Sequence, residues 1–371
     1  AGHASTTVTG NPLLRNLPNV VPAATRLSVE AFDRSDDLNP RTQSWSLTVQ
    51  RRIPWGMTAE TSYVGSKSDR LRNAGLTNIN IVPFGAMLND PNGNADAYRP
   101  FQLYGAINVI DHTLYSNYHS WQNLVSRQAG RFSFTGAYTF SKALGIRGTQ
   151  QGRAIQPPDL SQIRQYSYGV LGNDRRHLFS LAYSWLLPEV KTGVTNAILG
   201  NWQISGISQF VSGAPLQVVG GDGNFRLDGT TANGATINNQ TITGSPDILV
   251  MPVLTCDPRA SGDMVADANC FGAPSPGQNG NFIWPTVVGS SYVNHDLSLF
   301  KNFPFGSGGK KFQFRASAYN VFNHPQRAPD DARNLDLTYA NGVQTNANFG
   351  LLPTDNKYGR RIIQLAFKFY F

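Results

Sequence analysis

No stretch of this 371-residue chain approaches the roughly 18 consecutive apolar residues of a membrane-spanning helix, so a helical membrane protein is excluded. Charge is scarce as well: 15% of residues are charged, and the formal net charge of +8 comes from scattered Arg and Lys with no basic run. Without basic stripes, zinc spacing or a nucleic-acid motif, nucleic-acid recognition is excluded. A basic surface facing anionic lipid headgroups accounts for the balance. The only cysteines, Cys256 and Cys270, form a C-x13-C pair in a Pro/Gly/Asp-rich stretch with no His nearby. That fits no common zinc pattern. A disulfide pinning a loop in an oxidising compartment is expected, worth about 3 kcal/mol in the chain-entropy model. His119, His177, His295 and His324 have no Asp, Ser or Cys partner at catalytic spacing. They read as strand-end or loop residues, and no catalytic constellation, metal site or cofactor site is expected. Asp222-Gly223-Asn224 and Asp228 hint at a calcium loop, but the further acidic ligands are missing.

What the chain does have is glycine (36), proline (22) and 11% aromatic residues. Its last residues alternate strictly: Ile363, Leu365, Phe367, Phe369 and Phe371 are separated by Gln364, Ala366, Lys368 and Tyr370. Period two makes a strand with one apolar and one polar face. The last strand of a soluble β-sandwich would also read this way. A terminal Phe is unusual there, however, because soluble termini fray and are seldom apolar. A closing strand of an outer-membrane barrel explains it better, with one face on lipid and the other on the lumen. The mean hydropathy of -0.29 is no objection, because alternation hides the apolar face from an average.

Taken in order, the chain shows nine such segments. Residues 1–40 are a lead-in or extracellular loop with at most a short strand over Arg26 to Phe32. Strands are expected at Thr42–Ile53, Met57–Lys67, His119–Gln128, Phe132–Ser141, Arg176–Leu187, Asn201–Ser212, Tyr292–Phe303, Lys311–Phe322 and the terminus. His119–Gln128 has the poorest pattern, since Asn123 falls between Trp121 and Val125. Connections alternate between short turns (Pro54-Trp55-Gly56, Ala129-Gly130-Arg131, Pro304 to Gly309) and long stretches, including 68–117 and about 220–290. Structureless loops of that length are rare in compact domains. They are the rule in outer-membrane barrels, whose periplasmic turns are short and outer loops long. Trp45, Trp55, Trp121, Phe132, Phe140, Trp185, Trp202 and Phe322 lie near strand ends, as interfacial girdles require. The expected fold is all-β, an antiparallel transmembrane β-barrel of about nine or ten strands. A complete barrel with both ends in the periplasm needs an even number, and the chain opens at Ala1 without Met or export signal. The expectation is therefore a C-terminal portion of a barrel, spanning residues 1–371.

Several segments then align with one family. Asn39-Pro40-Arg41-Thr42-Gln43-Ser44-Trp45, Tyr63-Val64-Gly65-Ser66-Lys67, Tyr138-Thr139-Phe140-Ser141-Lys142-Ala143 and Asp174-Arg175-Arg176-His177 are four of them. Gly200-Asn201-Trp202-Gln203-Ile204-Ser205-Gly206, Asp296-Leu297-Ser298-Leu299-Phe300-Lys301-Asn302-Phe303 and Asn320-Val321-Phe322-Asn323-His324-Pro325 are three more. Their order and spacing from about residue 39 onward resemble the barrel of TonB-dependent outer-membrane receptors, most of all the Oar-like group with its carboxypeptidase-regulatory-like domain. The resemblance implies a Gram-negative outer-membrane barrel of about 22 strands with a plugged lumen, energised by the TonB complex. The plug, the TonB-contacting segment and the regulatory-like domain have no counterpart here.

The expected partners are outer-membrane lipid, the TonB complex through those absent regions, the barrel-assembly machinery through the terminal strand, and an unidentified bulky solute. Arg315, Lys368 and Gln364 are expected to face the lumen, Asp174-Arg175-Arg176 to form an ion cluster at a strand mouth, and the cysteine loop with Phe282 and Trp284 to help cap the barrel. A passive porin-like or structural barrel and a soluble adhesin stay open as alternatives; an enzyme is not expected.

Overall fold

The computed structural model describes residues 26–32, 36–146, 164, 167–188, 193–216, 227–260, 262–282, 287–305, 310–327, 335–351 and 357–371. Nine strands follow one another in a single antiparallel meander, each paired with the next in sequence. They are β1 (Arg41–Ile53), β2 (Met57–Asn78), β3 (Ile107–Arg127), β4 (Phe132–Ile146), β5 (His177–Leu186), β6 (Trp202–Val211), β7 (Tyr292–Pro304), β8 (Lys311–Tyr319) and β9 (Ile362–Tyr370). The short segment Val29–Phe32 adds on in parallel to Ile107–Ile110, and Tyr168–Val170 pairs with the end of β4. β1 and β9, at the two ends of the order, are not paired with each other.

Cross-strand register sorts the side chains onto two faces. One unbroken row runs Ile53, Met57, Arg127, Phe134, Tyr183, Gly206, Leu297, Ala318, Ile363. It starts at the turn end of β1 and finishes near the opposite end of β9, so the strands are staggered as in a tilted barrel wall. The rows beside it on the same face carry Leu47, Tyr63, Trp121 and Phe140, and Leu299, Ala316 and Leu365. These side chains are open to the surroundings; Leu47 is 70% exposed and Phe367 78%. Trp45 of β1 lies flat over Gly65 of β2, where a Cβ would sit 2.4 Å from the indole, so only glycine admits that ring. The other face carries Ser46, Thr48, Ser62, Ser120 and Ser141 and, further along, Ser184, Ser205, Ser298 and Ser317.

The awkward Asn123 finds its reason here. It sits on the apolar face, where Thr61 Oγ1 donates to its Oδ1 at 2.9 Å and Trp121 Nε1 donates to that same Thr61 Oγ1 at 2.8 Å. The Asn123 Oδ1 is thereby satisfied within the sheet, as hydrocarbon requires of a polar atom, while its Nδ2 is buried without a hydrogen-bond partner. At the short-turn rim, helix α1 (Gly193–Leu199) ends against the buried Lys301, whose ammonium takes the carbonyls of Ile198 and Gly200. Phe305, Phe312 and Phe369 stack at centroid distances of 4.9–5.6 Å, and Phe371 extends the stack from Phe369 at 5.7 Å.

Two expectations are corrected. The stretch 68–117 is not one long connection, because β2 runs on to Asn78 and β3 begins at Ile107. Twenty-two residues give about 70 Å of strand, well beyond the roughly 25 Å apolar band of such barrels. Outside that band alternation is not enforced, and the register slips between Ser68 and Leu71 and again before Thr77. The strand expected to reach Phe322 stops at Tyr319, because Asn320 and Asn323 turn the chain through left-handed backbone at φ 49° and 52°. The turn expected at Pro304 to Gly309 falls partly outside the described residues, and Pro304 itself closes β7.

The long connections are not structureless either. Parts of 212–291 and 320–361 build a cap with its own core, in which Ile242, Phe282, Val287, Leu335, Leu337 and Phe349 are almost completely buried. Leu227–Gly229 and Leu337–Tyr339 pair in parallel across it. Phe271 meets Phe282 and Phe349 edge-on at 5.3 and 5.5 Å. Connection 79–106 joins through Gly85 and Met87, whose N–H groups donate to Thr243 and Gly244. Gly244 holds φ 67°, and a Cβ there would meet Gly85 backbone at 2.7 Å. Asn80 organises that connection, its amide donating to the carbonyls of Phe101, Tyr104 and Gly105 while its Oδ1 accepts from Phe101 N–H. Phe271→Ala is expected to destabilise the cap by about 3–5 kcal/mol. Amide exchange at Leu337 and Tyr339 should accelerate accordingly, while amides in the middle of β4 keep their protection.

Candidate functional site

The polar face is hollowed into a groove of about 400 Å³ across the middle strands, lined by Ser133, Thr135, Ser184, Ser205, Asp296, Ser298 and Tyr319 among others. Its floor is a row of small hydroxyls at one register level, Ser133, Ser184, Ser205, Ser298 and Ser317, ending at Gln364. Ser205 donates to Ser184 at 3.2 Å, Gln203 Nε2 to Ser184 at 2.8 Å, and Ser298 and Ser317 are 2.8 Å apart. Each hydroxyl both donates and accepts, so such a floor hydrogen-bonds water or a hydroxyl-rich solute from any direction. The carboxylate of Asp296 is fixed at the groove edge, where its Oδ1 accepts from Asn294 Nδ2 at 3.0 Å and from the Asn320 N–H at 2.8 Å.

At the long-connection end, Arg99 holds the cap to connection 79–106. Its guanidinium reaches Asp247 at 2.7 and 3.2 Å and Asp96 at 2.9 Å, and it donates to Asn80 O at 2.6 Å. Asp247 also accepts the Val82 N–H at 2.8 Å. Burial pulls the Arg99 pKa down, but the bonds and charges of Asp247 and Asp96 outweigh it and keep the group above its ordinary value. Burial alone pushes the Tyr339 phenol up.

The residues singled out in the sequence fall as follows. Arg315, Gln364 and Lys368 share the polar face with the serine row; Arg315 stacks 4.6 Å from the Phe300 ring centre and donates to Gln313. Ile363, Leu365 and Phe367 share the apolar face with Phe369. Cys256 and Cys270 are joined, with Cα atoms 4.9 Å apart, inside the cap. Phe282 is in the cap core, whereas Trp284 and Asp222-Gly223-Asn224 lie outside the described residues.

Among the described residues, Asp174, Arg175 and Arg176 form no ion pair with one another, so the expected ion cluster is corrected. Asp174 accepts the Ala143 N–H at 2.6 Å, Arg175 donates to the carbonyl of Gly172, and Arg176 stacks over Phe140 at 5.6 Å. Backbone groups at a strand end need partners more than the side-chain charges need each other. Three histidines pair with hydroxyls: His119 with Tyr63 at 2.7 Å, His177 with Tyr138 at 2.8 Å and His295 with Ser208 at 2.9 Å. Among the described residues no group of three or more His, Cys, Asp or Glu could hold a metal. The serine row was missed, although serine recurs in successive strands. Arg99 and Asp247, 148 residues apart, gave no sequence signal.

A family model described as an outer membrane beta barrel domain matches residues 1–364. The chain belongs to that family. This outer membrane beta barrel domain therefore resides in the outer membrane, its apolar face on lipid. No curated protein matches it. Among solved structures it is similar to the ferric-catecholate import receptor Fiu from E. coli K12 in its closed form, at 9% identity and a TM-score of 0.40, covering 89% of this chain and 28% of that one. It is likewise similar to the FrpB iron transporter from Neisseria meningitidis, at 10% identity and a TM-score of 0.39, covering 92% and 33%. A third is the siderophore receptor PirA from Acinetobacter baumannii, at 9% and 0.39, covering 88% and 31%. The chain thus spans about a third of the length of these proteins.

Arg99→Ala is expected to cost about 2–3 kcal/mol by stranding Asp247, and to release the Val82 and Met87 amides to exchange. In the cap, Arg259 grips Asp257 and lowers its carboxyl to about 2. A depressed carboxyl contributes stability above its ordinary range and loses it as pH falls through the folded value. A carboxyl-detected NMR titration should therefore find Asp257 ionised at pH 3, with its midpoint near that lowered value.

Proposed function

We propose that this domain is the C-terminal part of the barrel of an Oar-like, TonB-dependent receptor that imports a bulky solute by energised uptake. The observation that carries the reading is the pairing of a hydroxyl-lined polar face with a folded cap drawn from several long connections. The cap supplies a shaped surface where solute is first met, and the polar face, with Arg315, Gln364 and Lys368, lines the lumen along which it passes. Among the described residues the outer edges of β1 and β9 have no partner strand, which supports a larger barrel, because open edges facing hydrocarbon leave backbone groups unsatisfied. Further strands complete the wall, a plug fills it, the TonB complex acts through that plug, and the barrel-assembly machinery engages β9. The chemistry is transport, with no bond made or broken.

The test uses the full-length protein encoded by the gene. Uptake of a labelled panel of oligosaccharides, oligopeptides and ferric chelates into cells should find at least one accumulated solute whose uptake stops when an uncoupler is added. In planar bilayers the same protein should be non-conducting. Steady conductance together with uptake that ignores the uncoupler would mean a passive pore and would overturn the proposal.

A further inference from the structure

A second cavity, of about 590 Å³, opens beside the long-connection ends of β2, β3 and β4. Register places it on the apolar face. Lys67 and Asn117, which line it, share a row with Gln43 and Leu144. That row lies two residues beyond the row of Trp45, Gly65, His119 and Lys142, at the level where Trp45 and His119 meet at 6.2 Å. The cavity therefore sits just past the aromatic belt, at the depth of lipid headgroups.

Its lining is specific. Lys67, Arg70 and Arg164 bring three cations. The carboxylate nearby, Asp69, is gripped by Arg41 through two bonds of 2.8 and 3.1 Å and lies 3.9 Å from Arg70, which leaves the cluster with a surplus of positive charge. Tyr115 and Tyr168 stack at 5.7 Å, and the Arg164 guanidinium lies 5.3 Å over Tyr168. Leu114 and Ile146 give the cavity an apolar floor. Asn117 Oδ1 is buried without a hydrogen-bond partner, and a buried acceptor of this kind calls for an N–H or O–H. Cations for a phosphate, an acceptor for a sugar hydroxyl or amide, and an apolar floor open to the bilayer define one class of ligand. We infer that this cavity binds the phosphorylated sugar headgroup of a glycolipid in the outer leaflet. The basic rim continues sideways through the exposed Lys142 and through Arg176 over Phe140, so neighbouring headgroups find cations too. The inference needs only the membrane location and is independent of the solute carried.

The test is titration of the full-length protein encoded by the gene, folded in dodecylmaltoside micelles, with a fluorescent diphosphorylated glucosamine-disaccharide lipid. Lys67→Gln and Arg164→Gln should each weaken binding by about fivefold, and the double variant by about 25-fold, at low salt. The same lipid without phosphates should bind as weakly to the wild-type protein as the intact lipid does to the double variant. Inorganic phosphate and glucosamine 1-phosphate at millimolar concentration should not displace the lipid. Unchanged binding in the variants would overturn the proposal. So would equal binding of the dephosphorylated lipid, or displacement by the soluble phosphates, which would identify a water-side phosphate site. A heat-modifiable gel shift checks folding, and Lys67→Gln alone, altering an exposed side chain, decides the matter if the double variant does not fold.

Discussion

Every peptide group that enters the hydrocarbon must find its hydrogen-bond partner inside the protein, and from that constraint the rest of this structure follows. It forces the meander in which each strand pairs with its sequence neighbour. Pairing fixes register, and register fixes which side chains see lipid. Because side chains alternate strictly, the same nine strands can be greasy on one face and almost as hydroxylated as water on the other. Polar groups on the lipid side are drawn into the same bonding: Thr61, which also accepts from Trp121, donates to the Asn123 Oδ1, and Lys301 is spent on the end of a helix.

Where the bilayer imposes its rule, the sequence could be read; where it does not, reading fell short. The alternations in β4, β5 and β9 gave strand and face because a single misplaced charge would be costly. Beyond the bilayer, β2 and β3 continue for about ten residues each with no period, and the Asn and Gly there look like loop. The cap was invisible for a related reason. Its strands are two to four residues long, and its core joins Phe271 to Phe349 and Arg99 to Asp247 across distances in sequence that no local pattern reports. Residue choice hinted at the groove, since serine occupies one register level in β4 through β8. That level becomes visible only once the pairing is known.

The two cavities divide the labour by face. The groove sets neutral hydroxyls and one anchored carboxylate among apolar side chains such as Phe134 and Ile207, suited to something that must pass and leave. The outer cavity concentrates cations and aromatic rings, suited to something that stays. Both depend on the same stagger of strands, which lifts each successive register level along the wall.

The bridge between Cys256 and Cys270 spans only 14 residues of one connection, whereas the cap around it draws on segments more than 100 residues apart. Short loops close in well under a microsecond and distant pairings form late. The thiols therefore meet while the chain is still unfolded, and their oxidation can precede passage of the loop across the bilayer. A chain oxidised before that passage crosses with the loop already closed, and assembly of the cap at the far side then begins from a smaller set of conformations.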